Sequence, residues 1–295
     1  MTRRFLPVLI VLLLTACVQS EEQAHENPEI SNIEQQEETL DITPPSSIKT
    51  FDLLCIEKAT LEQPPINCLE GISLNDLDKN TMDSVIHTTI LKMYELSSNA
   101  NIDDYVNQET WRLDTTLIPF EMDGFSYDSE EGYYFLTIDF STIYKWFYQD
   151  ASNAMRDYLK YKKENPEKIS YDAGLIIEPG NMAERLCKME QILAKDNRFV
   201  RDLLYEYFCY ELSWIYTGMD NTWAFDYETG VYLPEYKEAL NYLIQHGGPV
   251  IKHFTKTMEV EMEKSGWKYK EDLRNWINVS MITQKTLDNY PTGIK

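Results

Sequence analysis

The chain has 295 residues, 43% of them apolar and 13% aromatic, and a formal net charge of -22 at pH 7. That is enough apolar chain for a large domain with a real hydrophobic core. The charge argues against a nucleic-acid binder and against a domain lying on an anionic lipid surface, because such a field repels both and attracts cationic partners.

At the N-terminus, Arg3 and Arg4 precede an apolar run over residues 5–14, which closes on Leu14, Thr15, Ala16 and Cys17 and then turns polar. A run of about ten residues is too short for a spanning helix, which needs roughly twenty, and the layout is that of a secretory signal peptide. Residues 14–17 resemble the lipobox of bacterial lipoprotein signal peptides. The resemblance covers only residues 1–18. It implies cleavage before Cys17, an acyl lipid such as palmitate on Cys17, and a lipid bilayer as the anchor for everything downstream. Val18 stands where inner-membrane lipoproteins typically carry Asp, so the sorting pattern points to the outer membrane in preference to the inner, with the domain in the periplasm.

Residues 18–46 hold eight acids and no Lys or Arg, with few large apolar side chains. They cannot bury enough surface to offset the entropy of ordering, which predicts a disordered tether with an end-to-end distance of roughly 30 Å. The organisation is therefore a signal peptide over 1–16, a lipidated cysteine with its acidic tether over 17–46, and one globular domain over 47–295.

Residues 51–70 read as irregular, with Pro64 and Pro65 between two cysteines. Asn80 offers a helix cap, and Met82, Val85, Ile86, Ile90, Met93 and Leu96 follow at helical spacing. Two runs of aromatic and branched residues, 117–122 and 133–140, flank a Gly- and acid-rich stretch and predict a β-hairpin with a long turn. Ser141 can cap a helix whose apolar face runs from Tyr144 to Tyr161 and which Pro166 stops. A second helix follows over 182–195. Residues 198–216 are apolar at thirteen of nineteen positions, the mark of a buried helix, with one polar stripe of Arg198, Asp202, Glu206 and Ser213. The aromatic stretch 219–234 predicts another hairpin or an ordered loop. Three more helices are expected over 235–246, from Pro249 to about 265, and over 271–288. The fold class is α+β and mainly helical, with one or two short hairpins.

In an exported chain, Cys55, Cys68, Cys187 and Cys209 read as a disulfide framework. Three connectivities are open. The local pairings, Cys55 with Cys68 and Cys187 with Cys209, are favoured over buried thiols, and each would stabilise the fold by roughly 3 kcal/mol. No cysteine or histidine spacing matches a metal site, and no cofactor motif is present.

The signals for catalysis are weak. His25 falls in the tether, His87 on a helix among hydroxyls, and His246 and His253 flank a Gly-Gly-Pro junction without a third ligand. No Gly-x-Ser-x-Gly elbow occurs, and the Ser-x-x-Lys matches at Ser46 and Ser265 lack companion motifs. Neither Asp128 nor Asp226 begins a calcium loop, since the required Gly or terminal acid is missing. Carboxylates at helical spacing, Asp202 with Glu206 and Glu259 with Glu263, are expected by composition alone; the first pair stands out because its helix reads as buried. No catalytic residue is assigned.

Surface recognition remains. Tyrosine and tryptophan bury area while keeping a polar tip and are enriched at protein interfaces. Tyr127, Tyr133, Tyr134, Trp223, Tyr227 and Tyr232 fall in or next to predicted turns and are the candidate partner-binding residues. The expected function is a lipid-anchored protein that binds or inhibits a basic partner, with an immunity protein against an antibacterial toxin as its most concrete form. The alternatives are an envelope hydrolase working through a carboxylate pair and an envelope-assembly scaffold.

Overall fold

The computed structural model describes residues 53–69, 74–100, 102, 106–107, 110, 112–113, 124–130, 133–165 and 168–270. The signal peptide expected over 1–16, Cys17, the tether expected over 18–46, the strand expected over 117–122 and the helix expected over 271–288 lie outside the described residues. Among those described are eight helices and four two-stranded antiparallel sheets, the mainly helical α+β architecture expected. No helix among them is long and apolar enough to cross a membrane.

The first staple is the one expected. Cys55, in the single-turn helix α1 (Leu54–Glu57), bonds Cys68 in a 3-10 turn (Pro65–Leu69), with their Cα atoms 5.8 Å apart and Ile56 fully buried beside them. Helix α2 (Lys79–Asn99) follows, capped by Asp78 and not by Asn80. The Asp78 carboxylate accepts from Asn80 N, Thr81 N and Thr81 Oγ1. Such a cap satisfies backbone donors that the helix leaves orphaned.

A small pair, β1 (Val106–Asn107) and β2 (Arg112–Leu113), precedes the main hairpin, β3 (Phe125–Glu130) with β4 (Tyr133–Ile138). The strand that pairs with β4 is therefore 125–130, within the stretch expected as a turn. The acids that read as a turn belong to a strand because they alternate. Phe125, Tyr127 and Ser129 share one face, and Asp128 and Glu130 lie on the other, where Lys168 pairs with Asp128 at 3.2 Å.

The single helix expected after residue 141 is two, α3 (Phe140–Phe147) and α4 (Asn153–Glu164). Asp139 caps the first and Ser152 the second. The break is fixed from outside by Asp83 of α2, 1% exposed, whose carboxylate accepts from Ser152 N at 2.9 Å and from Asn197 Nδ2 at 2.6 Å. Asn197 in turn caps α6 (Arg198–Thr217) through Phe199 N and Val200 N. One buried carboxylate thus holds the starts of two helices against a third.

Helix α6 is the central helix its composition predicted. Val200, Leu203, Leu204, Phe208, Leu212, Ile215 and Tyr216 are all buried, against α2, α4, the preceding helix α5 (Pro179–Leu193) and the following helix α7 (Pro234–His246). Burial of each such side chain is worth roughly 1.5–3 kcal/mol. Helix α8 (Pro249–Lys264) completes the bundle. Its N-terminus has no cap of its own. The buried carboxylate of Glu190 on α5 accepts instead from Gly248 N at 2.6 Å, Val250 N at 2.8 Å and Ile251 N at 3.3 Å. A Cβ on Gly248 would fall 2.6 to 2.8 Å from that carboxyl group and would have to push it off the helix start.

The second expected disulfide does not form: Cys187 and Cys209 are separate buried thiols. The cause lies in helix geometry. Arg185 of α5 and Glu211 of α6 face one another, with Nη2 to Oε1 at 2.9 Å. Each cysteine is two residues from its helix's member of that pair, about 200° around the axis. Facing the ion pair inward turns both thiols away from one another. Burial pushes the Cys187 thiol up to about 11, with Glu190 adding to the effect and Lys252 of α8 opposing it.

Candidate functional site

Three hairpins follow one another across one side of the protein. Hairpin β3–β4 meets β5 (Ser170–Tyr171) and β6 (Gly174–Leu175) through Asp172 N, which donates to Glu130 Oε1 at 3.2 Å, and through Lys168 Nζ, which donates to Ser129 O at 3.0 Å. The tip of β5–β6 meets β7 (Gly218–Met219) and β8 (Thr222–Trp223) on its other side. There Asn221 N donates to Ala173 O at 3.0 Å, Asn221 Nδ2 donates to Asp172 O, and Leu175 N donates to Thr222 Oγ1 at 2.7 Å. Asp172 and Ala173 both have positive φ, 48° and 55°, as a two-residue hairpin turn of this kind requires. For a non-glycine residue this conformation costs roughly 1 kcal/mol or more.

These hairpins and the loop that follows β8 carry the most exposed aromatic rings described. Tyr133 is 71% exposed, Tyr227 68% and Tyr171 45%, and Ile176 beside them is 61% exposed. Their polar neighbours are largely carboxylates: Asp128, Glu130, Asp172, Asp220, Asp226 and Glu228. Lys168 is half-buried over the rings of Phe135 and Tyr171.

The six residues singled out in the sequence divide accordingly. Tyr133 and Tyr227 are fully presented, Tyr127 is on the margin of exposure, and Tyr134 and Trp223 are partly covered. Tyr232 is not on the surface. It is 4% exposed, its hydroxyl donates to Ile215 O at 3.0 Å, and its ring packs on Phe225, Tyr236 and Trp267. It follows a turn in sequence, but the isolated bridge of Phe225 with Tyr232 folds the loop back onto the core. Tyr171 was missed because the hairpin around it has no Gly at its tip, only Asp172 and Ala173.

Two depressions lie elsewhere. One, of about 10 Å³, has room for a single water and is lined by Tyr161, Lys162, Arg185, Tyr207 and Glu211 among others. The Arg185–Glu211 pair in it is almost fully buried. Burial pushes the Glu211 carboxyl up against the opposing pull of Arg185, and it raises the Tyr161 phenol as well. The other is a shallow dent of about 460 Å³ at Ser152–Asn153 and Lys195–Asn197, where Lys195 is paired with Asp157.

The carboxylate pair on α6 does not face a cleft. Asp202 is 63% exposed and bonds His87 Nε2 of α2 at 2.5 Å, and Glu206 is exposed. Among the described residues the buried carboxylates, Asp83, Glu190 and Glu211, are each engaged by structural donors. His246 lies tilted against Tyr242, and the exposed His253 packs edge-on against Phe254. Among the described residues no group of three or more His, Cys, Asp or Glu is placed to hold a metal ion.

Fold and site together define a disulfide-stapled, mainly helical α+β domain with an aromatic and acidic hairpin surface. Comparison of the chain with protein-family models, with curated proteins and with solved structures returns no match.

Proposed function

We propose that this protein is a lipid-anchored periplasmic lipoprotein that binds, and in doing so inhibits, a basic protein partner. An immunity protein against an antibacterial toxin is the most concrete form of this reading. The observation that carries it is the row of three hairpins and the loop after β8, with Tyr133, Tyr171 and Tyr227 exposed among carboxylates. Exposed rings held on short, hydrogen-bonded turns supply interface area at little entropic cost, and the surrounding acids would speed encounter with a cationic protein. The lipobox at residues 14–17 supports the anchor, and the outer membrane is its proposed location.

Detergent-extracted full-length protein should retain a basic partner at low ionic strength and release it in 0.5 M salt, on the screening argument. The triple variant Tyr133→Ala, Tyr171→Ala, Tyr227→Ala should lose that partner while keeping its melting temperature. Retention of the same partner by the triple variant would count against the hairpin surface. For the anchor, Cys17→Ala should abolish incorporation of a labelled fatty acid and release the protein from the membrane fraction.

A further inference from the structure

We infer that the step formed by Trp223 and Tyr227 is a seat for a lysine or arginine side chain of the partner, an inference that rests on the binding function proposed above.

The rings come first. Trp223 lies between Tyr227, with ring centroids 5.7 Å apart, and Tyr269, at 4.8 Å. Although Tyr227 is 68% exposed, its position is fixed, because its hydroxyl donates to Asp220 O at 2.9 Å. The loop beneath is equally ordered. Asp226 Oδ1 accepts from Thr229 N at 2.8 Å, Thr229 Oγ1 at 2.7 Å and Glu228 N at 3.2 Å, and Tyr269 N donates to Gly230 O at 2.9 Å. An aromatic ring held this firmly in solvent adds little to the core. It is already arranged to receive something.

The charge around it says what. The face of an aromatic ring is negative and attracts a cation within about 6 Å. Residues 220–229 contain Asp220, Asp226 and Glu228 and no Lys or Arg. The chain itself shows how it uses such faces. Lys168 lies over Tyr171 at 5.1 Å and Phe135 at 5.6 Å while paired with Asp128, and Lys237 lies 3.8 Å over Trp267. Among the described residues no lysine or arginine takes the corresponding place over Trp223 or Tyr227. A side-chain cation from a partner would complete the same arrangement of ring face and carboxylate. A phosphate-bearing ligand would meet these carboxylates unfavourably.

The test is calorimetric titration of the full-length protein in detergent with hexalysine and with hexaarginine, and with fully acetylated hexalysine as the uncharged control. Tyr227→Ala leaves the net charge unchanged, so it spares the general attraction of an acidic domain and removes only the ring. The expected result is binding of at least one cationic peptide, no binding of the acetylated one, and about fivefold weaker binding by Tyr227→Ala. Glu228→Gln should weaken it less and steepen no salt dependence. Wild-type affinity in Tyr227→Ala, with its melting temperature unchanged, would overturn the seat and leave the basic-partner reading standing on the other hairpins. Failure of both cationic peptides to bind the unmodified protein would overturn the two together.

Discussion

Asp83 and Asn197, 114 residues apart in the chain, meet through a 2.6 Å hydrogen bond from the Asn197 amide to the Asp83 carboxylate. Since Asn197 and Ser152 cap α6 and α4, this contact sets where both helices begin relative to α2. Asp83→Ala removes the acceptor of two partly buried donors, each bond being worth roughly 1.5–3 kcal/mol. We expect a loss of about 3 kcal/mol in a urea-unfolding measurement. Asp202→Ala, at the exposed His87 contact on the same two helices, should cost under about 1 kcal/mol.

The cysteines give a chemical count. Apart from Cys17, native protein should contain one disulfide, Cys55–Cys68, and two thiols that resist alkylation at pH 8, because both are buried and the Cys187 thiol is pushed up to about 11. Denaturation without reductant should expose two reactive thiols, and reduction two more, as read by intact mass. A native Cys187–Cys209 bond would show none in the first step. Cys55→Ser should cost roughly 3 kcal/mol, the loop-closure value for a short ring.

Stability should fall as pH rises above the ordinary carboxylate range. Burial pushes the carboxyls of Glu190 and Glu211 above their ordinary 4.5. A carboxyl raised in the folded state holds its proton more tightly there than in the unfolded chain. Its contribution is therefore fully present below 4.5 and is lost as pH rises through the folded value. Asp78 and Asp226, held low first by the hydroxyls of Thr81 and Thr229, act in the opposite sense and lose their contribution only as pH falls below their ordinary 3.8. Melting temperatures measured from pH 4 to pH 8 should peak near the acidic end. Glu190→Gln should flatten the descending limb; an unchanged slope in both Glu190→Gln and Glu211→Gln would assign it to surface repulsion instead.

Gly218 joins the core to the hairpin surface. It ends α6 and begins β7 with φ 71° and ψ -165°, a region open to glycine. A Cβ there would come within 2.5 Å of Ala224 N and closer still to Thr222 O. Gly218→Ala should cost about 3 kcal/mol or more and, because β7–β8 holds Trp223, should weaken binding of the cationic peptides as well. Gly230→Ala is the control. Its φ of 66° is also positive but a Cβ would meet open space, so the loss should stay near 1 kcal/mol.

The class of fold, the central helix and the first disulfide were legible in the sequence. Each of these rests on local information. A run of apolar residues with almost no polar gap has to be buried, and two cysteines separated by 13 positions around a proline pair can close a ring without help from the rest of the chain. The exposed tyrosines at 133 and 227 were legible for the same reason, since turn residues surround them. What only the tertiary structure decided depends on contacts between distant segments. Asp83 breaks one expected helix into two, and pairing with β4 makes a strand of acids that read as a turn. The Arg185–Glu211 pair rotates Cys187 and Cys209 apart, and the bridge from Phe225 draws Tyr232 into the core. Asp83 and the Arg185–Glu211 pair act by satisfying a backbone donor or a charge from elsewhere, the strand and Tyr232 by backbone pairing, and sequence spacing carries no record of which partner that will be.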